Sequence, residues 1–116
     1  MAQEKRRVAR IQPFVAPCRY VLGEQRLTGF LTDISRAGGR VHTEAVAPAI
    51  GALVTIEARL GHQVLPVRLA ATVRWVGPAP RGGCVFGVSF DGIGGAEQAI
   101  VDGVVAEFER RAASIE

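Results

Sequence analysis

Gln63-Val64-Leu65-Pro66-Val67-Arg68-Leu69-Ala70-Ala71-Thr72-Val73-Arg74-Trp75-Val76 carries the clearest period of two in the chain. Leu65, Val67, Leu69, Ala71, Val73 and Trp75 fall on one face, with Pro66, Arg68, Thr72 and Arg74 on the other. Successive side chains of a strand point to opposite faces, so the pattern predicts a long strand with one buried face. Similar runs surround it. Cys18 to Leu22 meets a Gly23-Glu24 turn suited to a tight hairpin, and Gln25 to Asp33 alternates loosely. Arg40 to Thr43 restarts the sheet after a glycine pair, Ala52 to Leu60 follows a Pro/Gly break, and Gly61-His62 makes another two-residue turn. Beyond a loop at 78–83, Cys84, Phe86, Val88 and Phe90 alternate inward against Val85, Gly87, Ser89 and Asp91.

After Asp91-Gly92 the period changes. Ile100, Val101, Val104, Val105 and Phe108 form one helical stripe from about Ala96, and Arg110 and Arg111 fall in the predicted last turn, where the helix dipole favours cations. Gly103 weakens this helix by about 1 kcal/mol relative to Ala. About six short antiparallel strands with a closing helix predict an all-β barrel, since closure removes exposed strand edges. The stripe reads as a lid on one barrel end, with a dimer seam as the alternative.

At 116 residues the chain fits one domain with a single core. A hydrophobic content of 48% excludes a disordered tail as the main reading. No apolar run approaches the roughly 20 residues of a membrane span, and the N-terminus is basic without an apolar signal core. The expectation is a cytoplasmic protein. Cys18 and Cys84 lie far apart in apolar runs and read as buried thiols rather than a disulfide.

Charge is unevenly placed. Residues 1–40 hold eight Lys/Arg against three carboxylates, whereas residues 41–116 hold six against eight. The positive field of the first half would attract an anion. Residues 1–12 read as a flexible basic arm, with 13–116 as the barrel and helix. The arm's Lys5, Arg6, Arg7 and Arg10 form a cationic cluster. Arg6 and Arg10 could clamp one ligand from two sides, each forking onto phosphate or onto guanine O6/N7. A plain solvated tail is the bland reading of the same residues.

A second stretch, Asp33-Ile34-Ser35-Arg36-Ala37-Gly38-Gly39, changes the weighting. A carboxylate at Asp33 can accept the N1 and N2 protons of a guanine edge, and Ser35 adds a hydroxyl. Gly38 and Gly39 would permit positive φ and close backbone approach to a ligand. A simple turn is the alternative, with Asp and Ser bonding nearby backbone.

Arg6-x-x-x-Arg10 followed by Asp33-x-Ser35-x-x-Gly38 resembles the paired motif of the PilZ domain family, bacterial receptors for cyclic di-GMP. Val73-Arg74-Trp75, Gly87-Val88-Ser89-Phe90 and the terminal helix extend the resemblance over nearly the whole chain. It implies a six-stranded antiparallel barrel with the arm folding over its surface. Arg6 and Arg10 would then grip guanine and phosphate, while Asp33, Ser35 and Gly38 line the guanine site. Arg7, Arg36 and Gly39 are neighbours that the motif does not fix. Lys5 holds the position that bears on whether one ligand or a stacked pair binds, and a long cation there favours the pair. The resemblance further implies no enzymatic activity, no cofactor beyond the ligand, and an effector protein as partner to a monomer or weak dimer. Motility, secretion and exopolysaccharide production are the usual outputs.

Physical reasoning supplies a mechanism for the arm. Its cations repel one another until a ligand with two phosphates neutralises them and ties the arm to the 33–38 turn, an ordering switch. Two other classes compete. A nucleic-acid-binding barrel would use the same arginines but wants exposed aromatics; Trp75, Phe86 and Phe90 read as inward, which leaves Phe14, Tyr20 and Phe30. An adaptor without a ligand would keep the fold and lose the need for the motif. For an enzyme, His42 and His62 stand alone, and Asp33 and Ser35 have no histidine partner in the pattern.

Overall fold

A computed structural model describes residues 16–115. Six strands, β1 (Ala16–Leu22), β2 (Gln25–Ile34), β3 (Gly38–Thr43), β4 (Leu53–Ala58), β5 (Val67–Pro78) and β6 (Cys84–Ser89), are followed by one helix, α1 (Gly95–Ile115). The strands close into an antiparallel barrel in the order β1-β2-β3-β6-β5-β4, with β4 returning to β1. The expected all-β barrel with a C-terminal helix is therefore the fold.

The β1–β2 hairpin turns on Gly23 and Glu24, with Leu22 opposite Gln25. Gly23 has φ +61° and no non-glycine residue among the described ones has positive φ, which is the type II′ arrangement that matches strand twist. Inward-facing Tyr20, Leu31, Val41, Ile56, Leu69, Val73 and Phe86 are fully buried and form the centre of the core. Tyr20 packs edge-on against Phe86 at 5.1 Å and donates a 2.7 Å hydrogen bond to the Val46 carbonyl, so its buried hydroxyl is satisfied.

Antiparallel alternation puts the β2–β3 turn, the β4–β5 loop and the exit from β6 at the same barrel end. The helix covers that end: Val101, Val104 and Val105 join the barrel core, beside Leu60 from the β4–β5 loop. The lid reading of the stripe holds, with Ile100 and Phe108 packed at its margin.

Several boundaries differ from the pattern-based expectation. β5 begins at Val67, because Pro66 has no N–H to donate and the ladder with β4 stops at the Ala58–Val67 pair. Leu65 therefore lies in the loop and is 74% exposed rather than inward. Helix α1 runs to Ile115, so Arg110 and Arg111 sit a turn before its end and pair with Glu107. Gly38 and Gly39 belong to β3 and neither has positive φ. Their lack of a side chain serves close packing of strands: a Cβ on Gly38 would overlap the Val88 carbonyl oxygen, and one on Gly39 would lie 2.6 Å from the Asp33 carbonyl oxygen.

Two glycines thus have opposite predicted effects. Gly38→Ala should lower unfolding free energy in urea by about 1–3 kcal/mol through overpacking. Gly103→Ala, where an added Cβ meets nothing within 4 Å on an exposed helical position, should raise it by roughly 1 kcal/mol. The thiols should also separate. Burial pushes Cys18 up to about 12, whereas Cys84 is only half-buried. Alkylation of the native protein at mildly alkaline pH, read by peptide mass, should label Cys84 and spare Cys18.

Candidate ligand-binding site

Strict alternation along β2 would turn Asp33 inward with Leu31, and along β5 would turn Trp75 inward with Val73. Neither happens, because each strand carries a bulge. In β2 the register shifts between Leu31, opposite Val41, and Asp33, opposite Arg40. One residue, Thr32, is extra, so Ile34 takes the next core position and is fully buried. In β5 the shift falls between Val73, opposite Val88, and Trp75, opposite Gly87. Arg74 is extra there, Val76 packs towards the core, and Trp75 turns outward with 43% exposure. This corrects the inward reading of Trp75, while Phe86 and Phe90 are buried as expected.

The two bulges place four residues in one row. Asp33 faces Arg40, Arg40 faces Gly87, and Gly87 faces Trp75, across β2, β3, β6 and β5 on the outer wall. Three inter-strand gaps make this row about 14 Å wide. Gly87 is its floor: the Trp75 indole lies where a Gly87 side chain would begin. Arg40 Nη2 bonds Asp33 Oδ2 at 2.8 Å, with Asp33 only 1% exposed and Arg40 at the surface edge. The cation fixes the orientation of that carboxylate. At the Trp75 end, Arg74 donates to Ser89 Oγ and to Asp91 Oδ2, both at 2.8 Å, and Ser89 donates to Asp91 at 2.7 Å. Asp91 is accordingly held below the usual carboxylate range, first by hydrogen bonds from Ser89 and Thr72 and then by Arg74.

The other expected site residues divide. Ser35 shapes the turn: its N–H donates to the Gly38 carbonyl at 2.8 Å and its Oγ accepts from the Ala37 N–H at 3.3 Å. Arg36 reaches away from the row and forks onto Glu109 of α1, at 3.1 and 3.2 Å. Gly38 and Gly39 line the start of β3 beside the turn. Lys5, Arg6, Arg7 and Arg10, with the whole 1–12 arm, lie outside the described residues. Ala16 pairs with Leu31, however, so the chain enters the barrel on the strand next to Asp33 and at the same end.

The sequence reading placed neither Arg40 nor Gly87 in the site. A hairpin closing at Ile34 and Gly39 puts Arg40 opposite Asp33, so that partnership was available from the turn position alone. The outward turn of Trp75 had no such signal. Phe30, another outward aromatic at 47% exposure, lies three residues before Asp33 on β2, opposite His42.

Comparison with known proteins agrees with this architecture. The PilZ domain family matches residues 3–107. Among solved structures, the PilZ domain of YcgR from Escherichia coli with c-di-GMP superposes with a TM-score of 0.71 at 19% identity, covering 95% of each chain. The Bacillus subtilis inhibitor of motility MotI/DgrA gives 0.74 at 17% identity, covering 94% of this chain and 52% of that one, so this chain spans about half its length. The PilZ domain of CeSA from a cellulose-synthesizing bacterium gives 0.64 at 21%, covering 86% and 97%. No curated protein matches.

The row's floor can be tested optically, since Trp75 is the one tryptophan in the chain. Gly87→Ala should push the indole off the strand, shift its emission to the red and increase quenching by iodide. Unchanged emission would contradict the packing described.

Proposed function

This chain belongs to the PilZ domain family, and we propose that it is a cyclic di-GMP receptor whose ligand lies along the Asp33–Arg40–Gly87–Trp75 row. The observation that carries the reading is the row itself. A guanine needs a carboxylate for N1 and N2, a guanidinium for O6 and N7, and a flat apolar surface for its face. Asp33, Arg40 and Trp75 present those three groups in register, and the turn with Ser35, Gly38 and Gly39 borders them. Arg6 and Arg10 of the arm supply the phosphate contacts in this reading, with Lys5 and Arg7 beside them. The arm joins the barrel next to Asp33, so it is tethered where the ligand would lie.

Ligand binding orders the arm over the row and changes the surface offered to an effector protein, in the cytoplasm, with motility as one output. The chain works as a receptor and adaptor rather than an enzyme. No helix among the described residues is long and apolar enough to cross a membrane. A single-stranded nucleic acid is the second reading, favoured by the outward positions of Trp75 and Phe30 near arginines.

Calorimetric titration with cyclic di-GMP should give binding that weakens at least about tenfold, roughly 1.4 kcal/mol, in Arg10→Ala and in Trp75→Ala. GTP should compete poorly. Binding of an oligonucleotide in preference to cyclic di-GMP would support the second reading, and no binding of either would leave an adaptor barrel.

A further inference from the structure

One arginine lies in the row and two lie around it, and each already holds a carboxylate. Arg40 is on Asp33 and Arg74 is on Asp91, pairs within the barrel wall and its margin. Arg36 differs, because its partner comes from another element. Both Nη atoms bond Glu109 of α1, at 3.2 and 3.1 Å, the bidentate geometry that a phosphate would also take. The same turn is tied to the helix a second time: Gln98 Nε2 donates to the Arg36 carbonyl at 3.0 Å and to Asp102 Oδ1 at 2.8 Å. The Phe90 N–H donates to the Ala37 carbonyl at 2.8 Å from the segment leading into α1.

We propose that Glu109 and the phosphate of a bound nucleotide compete for Arg36, which makes Glu109 a positioning residue that sets affinity and links the ligand turn to α1. This rests on the cyclic di-GMP reading. Arg36 lies within the Asp33–Gly38 turn, one residue from Ser35, and a guanidinium can fork onto only one partner at full strength. Arg36 and Glu109 are both near half-exposed, so their exchange has a small desolvation cost. Their charges are mutually stabilised: the Arg36 bond holds Glu109 below the ordinary carboxylate range. Of the other acidic groups on α1, Glu107 is engaged by Arg110 and Arg111, while Asp102 accepts from Gln98 and adds negative charge near Arg36 without bonding it. When Arg36 turns to the ligand, the last turns of α1 lose their ion-pair tether to the barrel rim. Val101, Val104 and Val105 keep the helix seated. The surface that changes is the outer, C-terminal part of α1, a face that an effector could read.

The test is a double-mutant cycle in cyclic di-GMP affinity, by calorimetry at low ionic strength, with wild type, Glu109→Gln, Arg36→Gln and the double variant. Competition predicts that Glu109→Gln binds roughly two- to fivefold tighter, that Arg36→Gln binds more weakly, and that the double variant is no tighter than Arg36→Gln. A merely supportive role for Glu109 would loosen the turn and weaken binding instead, so the sign decides. Ligand should also accelerate amide exchange in residues 106–111 of wild type and not of Arg36→Gln. In a wild type that binds, unchanged or weaker affinity of Glu109→Gln overturns the competition alone. A wild type that does not bind contradicts the receptor reading and the competition with it.

Discussion

The barrel depends on one constraint, the strict two-residue alternation of strand side chains, and its outer wall is shaped by two local breaks in it. A continuous alternation would give β2 and β5 a core face that included Asp33 and Trp75. A buried carboxylate without the outer-wall Arg40 would be costly, and an inward indole would compete with Phe86 for space. The extra residues Thr32 and Arg74 bring the buried Asp33 carboxylate opposite Arg40, which pairs with it, and turn the Trp75 indole outward opposite Gly87. Ile34 and Val76 then follow on the core side. The row is thus a product of the same register that completes the core.

Glycine makes the rest of that wall possible. Gly87 lets the indole lie against the sheet, and Gly38 and Gly39 let β3 approach the Val88 and Asp33 carbonyls. A side chain at Gly38 or Gly39 would press against neighbouring strand backbone, and one at Gly87 would displace the indole. In and around the row, Arg36, Arg40 and Arg74 are each paired with a carboxylate, which holds the cations in place. Membership of the PilZ family fits this surface, since its solved relatives share the barrel.

Much of the fold was legible in the sequence because burial writes itself as periodicity. Val67, Leu69, Ala71 and Val73 read correctly as the inner face of β5, and the 3.6-residue stripe identified Val101, Val104 and Val105. The Gly23-Glu24 hairpin was legible from the glycine, which alone could supply the positive φ. Reading failed where one residue shifted register, at Trp75, and where proline ended a ladder, at Leu65. Of the candidate site, the motif named Asp33, Ser35 and Gly38, but not what each does in the fold. Ser35 shapes the turn, Gly38 packs a strand, and Arg36 belongs to the helix in the free protein. Those assignments depend on long-range partners that no local pattern encodes.

The central claim is that ligand recognition runs along the Asp33–Arg40–Gly87–Trp75 row. Two-dimensional amide NMR of the labelled protein, titrated with cyclic di-GMP, tests it most directly. The account predicts that shifts concentrate in Asp33 to Arg40, Gly87 and the Trp75 indole N–H. Shifts confined to the far side of the barrel, around Arg19 and Glu57, would contradict it.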